Sequence, residues 1–194
     1  MTSLKKATLL FIVLFVITGL VYPLAVTLIS ELVFPSQAHG SLIVDNNNRV
    51  IGSKLIGQNF TAPQYFQSRP SASGYDPTVS GGSNLGPTNP VLLELIANRT
   101  SELRKTGITD PIPSDLVTAS ASGLDPHISD ESALIQVPAV AKARNLPEEE
   151  LRALVLSESI DSPFTGPYVN VLSLNRALDE KSPLVRGDYG KGSL

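Results

Sequence analysis

The side chains able to do chemistry in this chain are few and widely spaced. His39 and His127 are the only imidazoles, with 87 residues between them, and there is no cysteine. A zinc site would need one of these histidines plus several carboxylates, and the sequence assigns no metal ligand. Leu124-Asp-Pro-His-Ile128 sets a carboxylate two residues from an imidazole, which would suit a ligand pair or an acid-base pair. The same residues also read as a turn at Asp125-Pro126, with His127 a polar or capping residue just before a helix. Ser80-Gly-Gly-Ser-Asn-Leu-Gly86 is the other suggestive segment. Its backbone N–H groups could face an anion or a nucleotide, making Ser80, Gly81, Gly82, Ser83 and Asn84 the candidate ligands. The alternative is a structural turn leading onto the helix that Asn89-Pro90 opens. Arg69, within Ser68-Arg-Pro70, suits either a partner carboxylate or loop carbonyls.

Several function classes are excluded at this level. The phosphate loop G-x-x-x-x-G-K-[ST] and the hydrolase elbow G-x-S-x-G are both missing from the sequence. Glu148 to Glu150 read as the solvated first turn of a helix, so no residue is assigned a catalytic role and no intrinsic cofactor is expected. Without cysteine there can be no disulfide, thiolate nucleophile or cysteine-bound metal. Beyond Lys6 the chain carries 13 basic against 18 acidic residues, a net charge of −5, with no basic stripe interleaved with aromatics. Nucleic acid is therefore not an expected partner. Asn59-Phe-Thr61 and Asn98-Arg-Thr100 match the glycosylation triplet, at a frequency near chance.

These groups must be positioned by a chain with a marked N-terminal feature. Ala7 to Ser30 is a 24-residue run without a charged side chain, placed directly behind Lys5 and Lys6. As an α-helix it spans about 36 Å, enough for a hydrocarbon core of about 30 Å. Fifteen of its residues are Leu, Ile, Val or Phe; at about 0.3–0.6 kcal/mol each they favour insertion by roughly 5–9 kcal/mol. Gly19 and Pro23 offset part of this and are expected to bend the helix. A cleaved signal is the rival reading, since Ser36-Gln-Ala38 has a small-x-small form, but the run far exceeds the roughly 7–15 residues of a signal core. The reading is residues 1–6 cytoplasmic, 7–34 a membrane anchor in contact with lipid, and 35–194 an extracytoplasmic domain, because the lysines hold the N-terminus inside.

The outer segment is expected to be an α+β or α/β domain, tethered by one N-terminal transmembrane helix. Leu42-Ile-Val44 and Val50 to Ile56 flank Asp45-Asn-Asn-Asn48 and predict a hairpin. Residues 57–90 are rich in Gly, Pro, Ser and Asn, but Phe60, Tyr65, Phe66 and Tyr75 predict an ordered, packed loop. Asn89-Pro90 starts a helix whose apolar stripe is Leu92, Leu95, Ile96 and Leu103, closed by Lys105 and Gly107. A second helix begins at Ser129 and restarts at Pro138 before Arg144. A third runs from Pro147 to Ser157 with Leu151, Leu154 and Val155 facing inward. Tyr168 to Leu172 reads as a strand, followed by a short helical tail to Asp179.

A series of segments carries a family resemblance. Lys54-Leu-Ile-Gly-Gln58, Tyr65-Phe66 with Arg69-Pro-Ser71, and Ser80-Gly-Gly-Ser-Asn-Leu-Gly-Pro-Thr-Asn-Pro90 belong to it. Pro113-Ser-Asp-Leu-Val-Thr-Ala-Ser120, Ser122-Gly-Leu-Asp-Pro-His-Ile128, Gln136-Val-Pro138 and Val169-Asn-Val-Leu172 complete it. Together with the N-terminal anchor, in this order, the chain resembles the C subunit of the Kdp potassium-transporting ATPase over nearly its whole length. Where many members carry a Thr-Glu-Gly-Arg-like stretch, this chain reads Ser157-Glu-Ser-Ile160 followed by Asp161-Ser-Pro163; only Glu158 matches, so no role of that arginine carries over.

The resemblance implies an accessory, non-catalytic subunit of an ATP-driven potassium uptake pump. Its partners would be a potassium-selecting subunit, an ATP-hydrolysing P-type subunit and a small membrane peptide subunit. The Asp-Lys-Thr-Gly phosphorylation motif of such motors is not in this sequence. The family's C subunit is described as a catalytic chaperone that raises the motor's ATP affinity, so ATP enters only as a ligand of the complex. The expected topology puts the outer domain on the wrong side of the membrane to touch that nucleotide, and makes a structural clamp the preferred reading. The alternatives are a membrane-anchored extracytoplasmic ligand-binding module, or a hydrolase acting alone.

Overall fold

The computed structural model describes residues 2–44, 48–108 and 111–183. The chain divides into two compact units, Met1–Ser53 and Lys54–Leu194.

The first unit begins with the apolar run. Helix α1 (Thr2–Val16) passes through a π-helical turn (Ile17–Val21) into α2 (Tyr22–Val33). The turn lies where Pro23 removes one N–H and its ring would clash with the carbonyl of Gly19 four residues back. Widening the turn resolves the conflict: the Tyr22 N–H reaches Ile17 O, five residues back. The expected disturbance at Gly19 and Pro23 is thus a wide turn. Ser3–Val33 is long and apolar enough to cross a membrane, with a mean hydropathy of 2.7 and none of its most apolar stretch buried. The hydroxyls of Thr8, Thr18 and Thr27 each donate to the carbonyl four residues back, at 2.8–2.9 Å, so none needs a water partner.

A short helix α3 (Pro35–Ala38) follows and includes Ser36-Gln-Ala38. Strands β1 (Leu42–Val44) and β2 (Val50–Ser53) then pair antiparallel, Leu42 opposite Ser53, with a register shift between Ile43 and Val44. This is the expected hairpin, although its second strand ends at Ser53 and not at Ile56. Of its expected turn, 45–47 lie outside the described residues, while Asn48 has the left-handed φ of 62° that asparagine tolerates.

The second unit is α+β. Its first regular element is α4 (Pro90–Lys105), where the Asn89 side chain accepts from the Val91 N–H and Pro90 fills the first turn. Gly107, at φ 100°, ends it as expected. The stripe is narrower than the sequence suggests: Leu103 is buried and Leu92 and Ile96 half-buried, but Leu95 is exposed. At about 100° per residue Leu95 stands roughly 80° round the helix from the mean direction of the other three.

After the short α5 (Ser114–Val117) comes β3 (His127–Ser129), then α6 (Asp130–Leu134), α7 (Val137–Arg144), α8 (Glu148–Glu158), β4 (Ser159–Ile160), β5 (Tyr168–Asn170) and α9 (Val171–Lys181). Ser129 caps α6 through the Ser132 N–H, and Pro138 restarts the chain as α7. The sheet has the order β3-β5-β4, all antiparallel, with Ile128 opposite Val169 and Ser159 also opposite Val169. Two of these strands and α5 were not foreseen, and the tail is an eleven-residue helix. Strands of two and three residues are too short to display the alternation by which a strand is read.

Ile128, Val137, Leu151, Val155, Val169, Val171, Leu174 and Leu178 interlock with Phe66 in the core. Phe66 comes from the long irregular loop, and burying such a ring accounts for about 2–3 kcal/mol. Of the Gly/Pro/Ser-rich segment, the stretch from Tyr65 to Pro70 is part of the packed body, whereas most of residues 76–90 is exposed.

Candidate functional site

Polar side chains of α7 and α9 hold the irregular loop of the second unit; of those singled out in the sequence, Arg69, Asp125, Ser80 and Gly81 also bond within or against it. A loop inside a core needs partners for its own N–H and C=O groups. Asn175, on α9, accepts from the Phe66 N–H and donates to the Phe66 carbonyl, both at 2.9 Å. Gln136, at the start of α7, accepts from the Gln67 N–H at 2.7 Å and donates to Ser132 O at 2.9 Å. Two buried carboxamides thus imitate a neighbouring strand.

Beside them, Arg144 at the end of α7 has a fully buried side chain. Its guanidinium donates to Asp179 Oδ1 at 2.6 Å, and to the carbonyls of Gln64 and Ser182, each at 2.8 Å. It lies 4.8 Å from the centre of the Tyr65 ring, whose hydroxyl donates to the second Asp179 oxygen at 3.0 Å. All three guanidinium nitrogens are engaged, the condition under which a buried charge is tolerated.

The Leu124–Ile128 cluster forms a second network. Asp125 Oδ1 accepts from the His127 N–H at 3.0 Å and lies 3.3 Å from His127 Nδ1, while Oδ2 accepts from Arg69 at 3.1 Å. Burial pushes the Asp125 carboxyl up, but the His127 side-chain and N–H bonds and the Arg69 charge outweigh it, leaving Asp125 below the ordinary aspartate value. The His127 ring packs edge-on to Tyr168 at 4.9 Å. Its Nε2 is 3.5 Å from Asn170 Nδ2, which also donates to Lys54 O at 2.7 Å. Asn170 Oδ1 caps α9 at the Ser173 N–H. At Asp125-Pro126 the backbone makes no regular turn; the Asp125 side chain closes onto the His127 N–H instead, and His127 opens strand β3 ahead of the helix.

Ser80 to Asn84 runs alongside Ser120 to Gly123. The Gly81 N–H donates to Ser122 O at 2.8 Å and the Ser80 hydroxyl to the same carbonyl at 3.2 Å. A Cβ on Gly123, itself at φ 71°, would come within 2.7 Å of Gly81 O. Ser83 and Asn84 remain exposed. Arg69 meets the first of its two expected partners, a carboxylate. His39 lies in the first unit, its Nδ1 3.0 Å from Pro35 O and 3.4 Å from Glu31. Glu148 to Glu150 occupy the exposed first turn of α8. Among the described residues no three His, Asp or Glu side chains gather as a metal-ligating group. The structural roles of Gln136, Asn175 and Arg144 had no local signal, because their partners lie 69, 109 and 80 residues away.

One apolar helix long enough to cross a membrane, together with a compact α+β unit, is the architecture of a single-helix membrane-associated protein. The family profile described as K+-transporting ATPase, c chain, matches residues 4–180, and the chain belongs to this KdpC family. It is 54% identical over 179 residues to the potassium-transporting ATPase KdpC subunit of Methanosphaerula palustris, covering 91% of this chain and 96% of that protein. It is 51% identical over 189 residues to the KdpC subunit of Geobacter metallireducens, covering 94% and 100%. It is 53% identical over 188 residues to that of Geotalea uraniireducens, with the same coverage. The chain is thus a membrane-associated subunit of a multi-subunit potassium-transporting ATPase.

Proposed function

We propose that this chain is a non-catalytic clamp of the potassium pump. Its helix packs among the pump's membrane helices, and its outer unit sits over the potassium-selecting subunit. The observation that carries this is the helix Ser3–Val33, whose apolar side chains are all uncovered within the chain. Lipid and neighbouring helices are the surroundings that suit such a surface. Lys5 and Lys6 favour an N-terminus in the cytoplasm, and so place the second unit outside.

In this topology the second unit does not reach the nucleotide of the ATP-hydrolysing P-type subunit. Any rise in ATP affinity passes through the anchor or the assembled complex, and a coupling of about 1–3 kcal/mol corresponds to about 5–150-fold. Ser80 to Asn84 then serve as an internal seam and not as a nucleotide loop, a reading supported by the Gly81 N–H bond to Ser122.

Co-expression with the other pump chains and affinity purification in mild detergent tests the clamp. The full chain should bring them down, and a chain with residues 7–34 replaced by an unrelated membrane helix should not. Recovery of the intact chain alone would refute the proposal. A reporter fused after Leu194 should be active only outside the cytoplasm.

A further inference from the structure

Three large apolar side chains stand exposed within nine residues of sequence, around the edge strand β4. Leu156 is on the last turn of α8, Ile160 on β4, and Phe164 in the connection from β4 to β5; they are 60%, 48% and 95% exposed. Phe164 is the most exposed large apolar side chain among the described residues. Strand β4 is the sheet's edge: it pairs with β5 on one side, and no described strand pairs with the other. Exposed apolar side chains on and on either side of an edge strand are unfavourable in isolation and suit a docking surface.

The charges nearest to these residues along the chain select the partner. Glu158 and Asp161 flank Ile160, and Asp130 is tied to the strand by accepting from the Ser159 hydroxyl at 2.6 Å. Between Arg152 and Arg176 the sequence has no Lys or Arg. An acidic surround is repelled by an anionic lipid surface and attracted by a basic one.

We propose that Leu156, Ile160 and Phe164 dock the outer unit onto another chain of the pump, Phe164 entering an apolar pocket rimmed by Lys or Arg. This rests on the reading of the chain as an assembled pump subunit and assigns the surface it uses. An aromatic side chain inserted in a desolvated pocket is the usual form of an interface anchor.

The full chain is co-expressed with the other pump chains and purified in mild detergent across a range of salt. Phe164→Ser should lower recovery of the complex by roughly tenfold, as loss of an anchor does. Phe164→Leu should retain most of it, and Val79→Ser, at an exposed apolar site outside the patch, should match the wild type. Asp161→Asn with Glu158→Gln should flatten the salt dependence. Because Phe164 is solvent-exposed, circular dichroism and melting of the variants should be unchanged. If the wild type does not recover the other chains, the subunit reading itself fails; if it does and Phe164→Ser recovers them equally, only this surface is wrong. Quenching of a Phe164→Trp variant by brominated lipids would assign the patch to the bilayer. A Phe164-dependent dimer of the chain alone would assign it to a second copy. Either result overturns the proposal.

Discussion

Asn175 and Phe66 are joined across 109 residues by two hydrogen bonds, the carboxamide accepting from the Phe66 N–H and donating to its carbonyl, each at 2.9 Å. Asn175→Leu keeps the branched heavy-atom shape but leaves both backbone groups buried and unpaired. At about 1–3 kcal/mol for each, the substitution should destabilise the second unit by roughly 2–6 kcal/mol. Thermal melting of the full chain in detergent measures the loss, and hydrogen exchange should report faster opening at Phe66 and Gln67.

Arg144 offers a test of fork geometry. Arg144→Lys retains the charge but cannot reach Asp179, Gln64 O and Ser182 O together, so it should recover only part of the stability. Arg144→Ala leaves Asp179 without its cation and should cost about 3–5 kcal/mol. Equal melting temperatures for the lysine variant and the wild type would show that the charge alone suffices.

Gly57 and Gly81 should respond oppositely to the same change. A Cβ on Gly57 would lie 2.7 Å from the backbone carbonyl of Asp125, whereas one on Gly81 meets nothing within 4 Å. Gly57→Ala should destabilise by about 1–3 kcal/mol, as overpacking does. Gly81→Ala should stay within about 0.5 kcal/mol of the wild type. Melting of the two variants side by side checks this.

Asp125 sets a pH dependence with a defined sign. Its folded value is depressed, so the ionised carboxylate is favoured in the folded state. The resulting stability is full above the unfolded value of about 3.9 and fades as pH falls through the lower folded value. Asp125→Asn should therefore lower the melting temperature at neutral pH, and the gap to the wild type should narrow below about pH 4. A gap that widens on acidification would show that this carboxylate does not contribute in that way.

What the sequence disclosed, and what it withheld, follows from the range of each interaction. Asn89-Pro90, Ser129 and Pro138 act on backbone groups within four residues, so the ends of α4, α6 and α7 could be read directly. The apolar anchor needed only composition and length. Phe66 gave notice of packing by its type, because so large a ring in a polar loop must be buried or wasted. Strands β3 and β4 were hidden because their pairing with β5 joins segments about 40 and 10 residues apart through two or three residues each. At the candidate site, the closing of Asp125 onto the His127 N–H is local, the kind of contact an Asp-Pro pair announces. The alignment of Ser80-Gly81 with Ser122 depends on the two loops meeting in space.

The wide turn at Ile17–Val21 reaches further than its five residues. Such a turn places one extra residue in the helix, and one extra residue rotates all that follows by about 100°. A ridge of side chains rising from Leu4 is therefore out of phase with any ridge that continues toward Val33. A straight neighbouring helix can follow one half of this anchor or the other, but not both along a single seam. The apolar helix thus carries two stripes, one before Ile17 and one after Val21, and Pro23 is the residue whose missing N–H sets them apart.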